Sequence, residues 1–462
     1  MRAPTLTSEQ MAIGLLFVLL AALACLAPAQ SDTWWLLRAG QQIWQTGSVP
    51  MTDSWSHTAT GLYWPNHEWL TEAAFYALHR VGGMPLVALI CAATMTGAWA
   101  LAYSMTRGPF EARLLLLIAS VIAAAGAFAL RPQVFTMAAF AATAWLLARD
   151  RLVWVPLVVL VWANFHGAAA LGIVATGAVT GLTLVAERRM PWRLVATSVA
   201  VVIATALTPM GTGLWRFWIE SPQRSDVNQL IEWLPPDFSP YLWPFWAVAA
   251  ALPVLTLLGW RHLDRHTLRL VAIAIGVLPL AFQAIRNVHV FMLVALPAMT
   301  SLIVAGRAGR PAKASRENVR LNGALTTGAA TVAAVFVALV WARPPDRLGW
   351  SPVSDEAARA IRACGDPMFN TYGTGGELIW FVPGKRVFID NRQDPYPMDL
   401  LQANRAAELG GDYVPLFERY DIRCAALPPD SLIAEGLARD TGWTRPFADA
   451  QWVVFTRGPA GR

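Results

Sequence analysis

The sequence predicts an α-helical polytopic membrane protein with about eleven transmembrane helices, followed by a small C-terminal α/β domain. Three observations carry this reading. Of 462 residues, 56% are hydrophobic and only 14% charged. Apolar runs separated by short polar breaks fill the first three quarters of the chain. After Trp341 the composition changes to short strand-like and helix-like runs in alternation. Such a composition excludes a soluble chain. The net charge of +6 would suit nucleic acid, but the basic residues cluster between apolar runs, where the positive-inside rule puts them, so nucleic acid is not an expected partner. Many of the 22 tryptophans stand at the ends of apolar runs and read as interfacial aromatics.

The first run, Met11 to Ala29, ends in Ala27-Pro28-Ala29, which faintly resembles a signal-peptidase site. Its length of about nineteen apolar residues fits an uncut anchor better. Residues 30–83 follow as a polar loop with two amphipathic pieces. Trp34 to Trp44 reads as an interfacial helix; Trp69 to Arg80 has its apolar residues at helical spacing and stops at Gly82-Gly83. Further runs at about 84–105, 114–130, 134–148, 152–163, 168–186, 194–208, 241–260, 270–282, 288–306 and 323–342 complete the set. Runs 134–148, 152–163 and 270–282 fall short of the roughly twenty residues of a full span, so they read as tilted or broken helices. The domain boundaries expected are 1–342 for the membrane domain and 343–462 for an extracytoplasmic α/β domain. In the latter, Arg386 to Asp390, Ile422 to Leu427 and Gln451 to Thr456 are strand-like, and Pro397 to Glu408 and Ser431 to Ala438 helix-like.

With the N-terminus in the cytoplasm, the inner loops hold Arg2, Arg107, Arg113, Arg149, Arg151, Arg188, Arg189, Arg193, Arg261, Arg265, Arg269, Arg307, Arg310, Lys313, Arg316 and Arg320. The outer loops before residue 343 hold Arg38, Arg80, Arg131, Arg216, Arg224 and Arg286. This bias fixes the orientation and leaves the C-terminal part outside the cytoplasm, in the periplasm if the cell has one. Cys364 and Cys424 in that part are open to two readings, a disulfide or two buried thiols.

The candidate site residues follow from this topology. Asp32, in Ser31-Asp32-Thr33-Trp34-Trp35, either caps a helix end or is the working carboxylate. His67 and Glu68 either cap the second juxtamembrane helix or bind a sugar or phosphate; Asp53, in Pro50-Met51-Thr52-Asp53, is a turn residue or a further acid. The breaks Arg131-Pro132-Gln133, Asn164-Phe165-His166-Gly167 and Gln283 to Asn287 all face the same side as Asp32. Arg131 and Arg286 either snorkel or present a planar fork to a phosphate. His166 and His289 are more often packed or hydrogen-bonded helix residues than ligands. The outer loop 209–240, with Glu220, Asp226 and Glu232, is a lid or a connector. Asp390-Asn391-Arg392-Gln393-Asp394 follows an apolar run, where α/β proteins often place binding groups. Tyr372-Gly373-Thr374-Gly375-Gly376-Glu377 lacks a Walker lysine and is not a nucleotide loop.

Taken together, Asp32-Thr33-Trp34-Trp35-Leu36-Leu37-Arg38-Ala39-Gly40, Pro50-Met51-Thr52-Asp53, His67-Glu68-Trp69-Leu70, Arg131-Pro132-Gln133 and Val387-Phe388-Ile389-Asp390-Asn391-Arg392 resemble stretches of bacterial GT-C superfamily membrane glycosyltransferases, similar to the protein mannosyltransferases and the aminoarabinose transferases of lipid A. The resemblance implies a multi-pass protein of the bacterial inner membrane. It implies an inverting transfer of sugar from a polyprenyl-phosphate donor to an acceptor hydroxyl on a glycan, lipid or protein at the outer face, with Asp32 as general base. Asp53, His67, Glu68, Arg131, Gln133, Asn164, His166, Arg286 and Arg392 are the expected substrate-binding residues. Many superfamily members pair two acids in the first loop, whereas Asp32 is followed by Thr33, so any second acid must come from Asp53 or Glu68; no cofactor is expected, and a divalent metal is an open but unsupported alternative. The rival readings are a lipid or glycan transporter or flippase, which inverted repeats would favour, and a non-catalytic scaffold.

Overall fold

A computed structural model describes residues 5–228, 231–305 and 317–458, with side chains left out at 222–228, 231 and 305. The basic residues Arg2, Arg307, Arg310, Lys313 and Arg316, and the side chains of Arg224 and Asp226, therefore lie outside the described residues. In chain order the α-helices are α1 (Ser8–Cys25), α2 (Ser31–Thr46), α3 (Trp69–Tyr103), α4 (Phe110–Ala123), α5 (Gln133–Ala148) and α6 (Val155–Phe165). Next come α7 (Ala170–Glu187), α8 (Trp192–Thr205), α9 (Gly213–Asn228), α10 (Trp243–Gly259), α11 (Arg265–Gln283), α12 (Val288–Ala305) and α13 (Val319–Ala342). The last are α14 (Asp355–Ala363), α15 (Gly375–Phe381), α16 (Met398–Glu408), α17 (Val414–Arg419) and α18 (Leu432–Arg439). The chain divides into two compact units, one of Met1–Ala27, Met84–Thr212 and Ile231–Pro345, the other of Pro28–Gly83, Gly213–Leu230 and Asp346–Arg462. The loop 30–83, read from sequence with the membrane domain, thus clusters with the C-terminal residues.

The first unit is a helix bundle built around α12, whose residues from Val288 to Leu302 are all buried. Helices α4, α10 and α11 pack on it, and α11 packs in turn on α7. A helix apolar on every side belongs in such a centre. By contrast α1 and α13, paired with each other, bury little of their apolar surface, as lipid-facing helices do. Among the described residues, seven helical segments are long and apolar enough to cross a membrane. The run 270–282 proves longer than its hydropathy suggested. Asp264 accepts a hydrogen bond from the Thr267 N–H at 2.9 Å and so starts α11 at Arg265, giving 19 residues. Helices α4, α5, α6 and α8 remain short, at 14, 16, 11 and 14 residues.

The second unit joins the first polar loop to an α/β core. Its sheet, β1 (Met368–Phe369), β2 (Cys424–Leu427), β3 (Trp443–Ala448) and β4 (Val453–Arg457), has the order β1-β2-β4-β3. The β1–β2 pair is parallel and the others antiparallel. The strand expected at Arg386 to Asp390 is not in this sheet. Val387, Phe388 and Ile389 are instead fully buried in the core, with Val387 bridged to Ser56 of the first loop. Cys364 and Cys424 form a disulfide, which settles the open alternative. Trp34 and Trp35 correct another expectation. They are 1% and 7% exposed, and Trp34 meets the ring of Phe381 edge-on at 4.6 Å, so they are core rather than interfacial residues. The first half of α2 is buried because it is an interior helix of this unit, not a surface one.

Candidate active site

In the second unit, the Gln30 N–H donates to Thr33 Oγ1 at 3.0 Å and opens α2, placing Asp32 in the first turn. A carboxylate there faces the positive end of the helix dipole. Asp32 is buried, and Asn391 Nδ2 donates to its Oδ1. Helix α15 packs against this turn. The Gly376 N–H donates to Ser31 Oγ at 3.1 Å, and a Cβ on Gly376 would lie 2.1 Å from the Ser31 carbonyl oxygen. A Cβ on Gly375 would similarly lie 2.2 Å from the Ile389 carbonyl oxygen. The glycine-rich Tyr372 to Glu377 stretch therefore serves close backbone approach, holding the residue-389 segment and the start of α2 around one short helix.

Directly beside Asn391, Arg392 is the centre of a buried charge network. Its Nε and Nη2 donate to Asp390 at 2.8 and 2.6 Å, and Nη2 also donates to Asp53 Oδ1 at 2.5 Å. Asp53 Oδ2 accepts from Ser56 Oγ at 2.7 Å, and the Tyr396 phenol donates to Asp390 Oδ2 at 2.6 Å. Trp55 and Trp64 cover the guanidinium, 4.4 and 4.7 Å from its carbon. Burial alone would lower the Arg392 pKa, but the charge and hydrogen bonds of Asp390, with Asp53, raise it well above its ordinary value. Asp53 and Arg392, both expected to bind substrate, are bonded to each other and tie the first loop to the C-terminal residues.

His67 and Glu68 also stand together. His67 Nε2 lies 3.4 Å from Glu68 Oε1, Nδ1 lies 2.9 Å from the Pro65 carbonyl oxygen, and the ring stacks on Phe217 at 4.2 Å. Burial pulls the imidazole pKa down, but the charge and hydrogen bond of Glu68, then Asp394 and the Pro65 carbonyl, push it up to about 9. With acceptors at both nitrogens, His67 is an imidazolium at neutral pH. Asn66 bridges onward, donating to Glu72 Oε2 at 2.9 Å. Glu72 is fully buried.

A separate cluster belongs to the first unit. Arg131 Nη1 donates to Glu232 Oε2 at 2.9 Å and Arg286 Nη1 to Glu232 Oε1 at 3.2 Å, while the Arg286 guanidinium lies 4.5 Å from the centre of the Trp233 ring. Burial would raise the Glu232 pKa, but the charges of Arg286 and Arg131, the Arg131 hydrogen bond and the nearby His166 hold it at about 2. His166 Nδ1 is 2.7 Å from Thr136 Oγ1, which also accepts from Trp162 Nε1 at 2.9 Å. Asn164 Nδ2 donates to the carbonyls of Leu160 and Leu207 at 2.9 and 3.1 Å, tying down backbone. Gln133, half-buried, opens α5, and His289 is buried in α12.

Sequence reasoning named Asp390 and Asn391 only as part of a stretch that could carry binding groups and Glu232 only as an acid of the outer loop, and it passed over Tyr396 and Glu72. Run-on charge after the apolar run 387–389 was the available signal for the first two; Glu232 looked like any loop acid. Among the described residues no group of three or more His, Cys, Asp or Glu is spaced to hold a metal.

The fold of this chain, a series of apolar helices followed by a small C-terminal sheet, has counterparts among solved structures. Two solved structures match it over nearly the whole length. They are ArnT from Cupriavidus metallidurans bound to undecaprenyl phosphate (14% identity, 96% of this chain and 98% of that one, TM-score 0.51) and the same protein in the apo state (13%, 96% and 98%, 0.52). The Archaeoglobus fulgidus oligosaccharyltransferase in the apo form matches at 13% identity over 89% of this chain and 69% of that one, with a TM-score of 0.47. The two ArnT likenesses show the fold. No family model matches the chain, and no curated protein matches it in sequence.

Proposed function

We propose that the protein is an inverting glycosyltransferase that moves a sugar from a polyprenyl-phosphate donor to an acceptor hydroxyl at the outer face of the bacterial inner membrane. The observation that carries this is Asp32, a buried carboxylate in the first turn of α2 held by Asn391, in a chain of GT-C fold. Asp32 takes the proton of the acceptor hydroxyl as its oxygen attacks the anomeric carbon. The bond from that carbon to the phosphate oxygen breaks, its electron pair leaves with the lipid phosphate, and a single displacement inverts the centre. A phosphate leaving group needs its growing negative charge neutralised, which suits Arg131 and Arg286. Glu68 provides an acceptor for sugar hydroxyls and the His67 imidazolium a positive charge beside it, with Gln133, Asn164 and His166 as further polar groups. Asp53 and Arg392 act by positioning the segment that carries Asn391. Bound undecaprenyl phosphate in the ArnT structure supports the donor class. The Cys364–Cys424 disulfide supports an oxidising compartment for the C-terminal residues, with the N-terminus in the cytoplasm.

The test is genetic and chemical. Membranes of a deletion strain are assayed for a lost glycan and complemented with wild type and with Asp32→Asn. Loss of a general base costs roughly a hundredfold to ten-thousandfold, so the variant, made in normal amounts, should leave the glycan missing. Full restoration by Asp32→Asn would overturn the general-base assignment.

A further inference from the structure

Arg131 and Arg286 come from polar breaks separated by more than 150 residues of chain, and both are largely buried, at 21% and 25% side-chain exposure. Two like charges brought together away from bulk water need an anion between them. In this structure the anion is Glu232. Each of its oxygens takes one arginine, Oε2 from Arg131 and Oε1 from Arg286. That is the pattern in which two terminal oxygens of a phosphate ester would be bound by the same pair.

We propose that Glu232 is a tethered stand-in for the donor's phosphate, occupying the arginine pair until a phosphate ester displaces it. The inference rests on the reading of Arg131 and Arg286 as phosphate-binding residues and adds a competitor to it. Three features support it. Arg286 is held by more than Glu232, because its guanidinium lies against the Trp233 ring, so the cation keeps a support when the carboxylate leaves. The Glu232 carboxylate is 30% exposed and so has space to turn toward. It also stays ionised at any physiological pH, so it competes constantly and does not act as a pH gate. The consequence is selectivity. A tethered carboxylate faces the pair at a high effective concentration, so free carboxylates and other weakly held anions do not displace it, whereas a phosphate ester anchored by its lipid chain does.

Binding of undecaprenyl phosphate, and separately of inorganic phosphate, is measured on the purified full-length protein and on Glu232→Gln, Glu232→Asp and Arg286→Ala, each accepted only if monodisperse. Losing a charged hydrogen-bond competitor is worth about a factor of ten or more in affinity. Glu232→Gln should therefore bind undecaprenyl phosphate about tenfold more tightly, and Glu232→Asp, which keeps the charge, should not. Tightening for inorganic phosphate as well assigns the recognition to the phosphate itself; tightening for the lipid alone assigns it to the lipid headgroup, and both support the proposal. If Arg286→Ala loses binding but Glu232→Gln gains none, the stand-in role is wrong and the phosphate reading survives. If Arg286→Ala binds as wild type, the phosphate reading fails and this inference with it. A readout on wild type needs no variant to fold: carbodiimide labelling of Glu232, followed by peptide mass spectrometry, should rise when undecaprenyl phosphate is added. Labelling that stays flat or falls overturns the proposal.

Discussion

Replacing Arg392 by methionine removes the guanidinium while keeping most of the volume between Trp55 and Trp64. Three charged hydrogen bonds disappear, at 2.8, 2.6 and 2.5 Å. The Asp390 and Asp53 side chains, both 0% exposed, are left without their counter-charge. Asp390 keeps the residue-392 backbone N–H and the Tyr396 phenol as neutral donors, and Asp53 keeps the Ser56 hydroxyl with the Trp55 and Ser56 N–H groups, which softens the penalty without cancelling it. Breaking a buried ion pair by removing one partner costs roughly 3–5 kcal/mol, so about 4 kcal/mol is expected. A unit of roughly two hundred residues loses about 2–4 °C of Tm per kcal/mol, so thermal unfolding of the full chain in detergent should fall by about 8–16 °C. Tryptophan fluorescence is the natural probe, since Trp55 and Trp64 flank the site. A variant that melts within about 2 °C of wild type would refute the reasoning; combined with lost activity, it would place Arg392 against substrate instead.

Two further outcomes follow from the same unit. Gly376→Ala puts a Cβ 2.1 Å from the Ser31 carbonyl oxygen, so α15 must move off the first turn of α2; both activity and Tm should drop, while Gly373→Ala, with nothing within 4 Å, should change neither. A drop equal in the two variants would mean the close approach is unimportant. His67 is raised to about 9 by Glu68 and its neighbours against the pull of burial. Its contribution to stability is therefore fully present below the unfolded value of about 6.5 and lost as pH rises through 9, with a size on the order of 3 kcal/mol. The stability difference between wild type and His67→Phe, measured by denaturant titration from pH 6 to 10, should narrow toward the alkaline end, and a constant difference would contradict the assignment.

The membrane helices were legible because hydropathy is local: a run of apolar residues declares itself without knowledge of its neighbours. Where a cap lay outside the run, as Asp264 does for α11, the length was underestimated. Of the site, the sequence showed which residues were chemically unusual and not which ones met. Arg131 and Arg286 stood out as guanidiniums in apolar surroundings, yet the acid between them, Glu232, carried no local mark. Asp53 and Arg392 were both singled out, but their pairing spans 339 residues of chain and no periodicity encodes it. Trp34 and Trp35 misled for a related reason. Tryptophan at a run end suits a membrane interface and a protein core equally well, and only the partner, here Phe381, distinguishes them.

That partner structure bears on how loss of function in this chain is to be interpreted. Asp32 is held through Asn391, and Asn391 is covalently next to Arg392, which is bonded to residues on both sides of the loop-to-domain joint. A general base must be held to within about half an ångström of its productive place. The buried network is thus in line with the carboxylate it positions, and substitutions at Asp53, Asp390, Arg392 or Tyr396 should reduce turnover without touching substrate. Catalytic and positioning roles separate by rescue. At Asp32 an amide of the same shape cannot accept a proton, so Asn should be inert however well the protein folds. At Asp390 the same change leaves a neutral group that still accepts from Arg392 and Tyr396, so part of the activity should return in proportion to the stability retained.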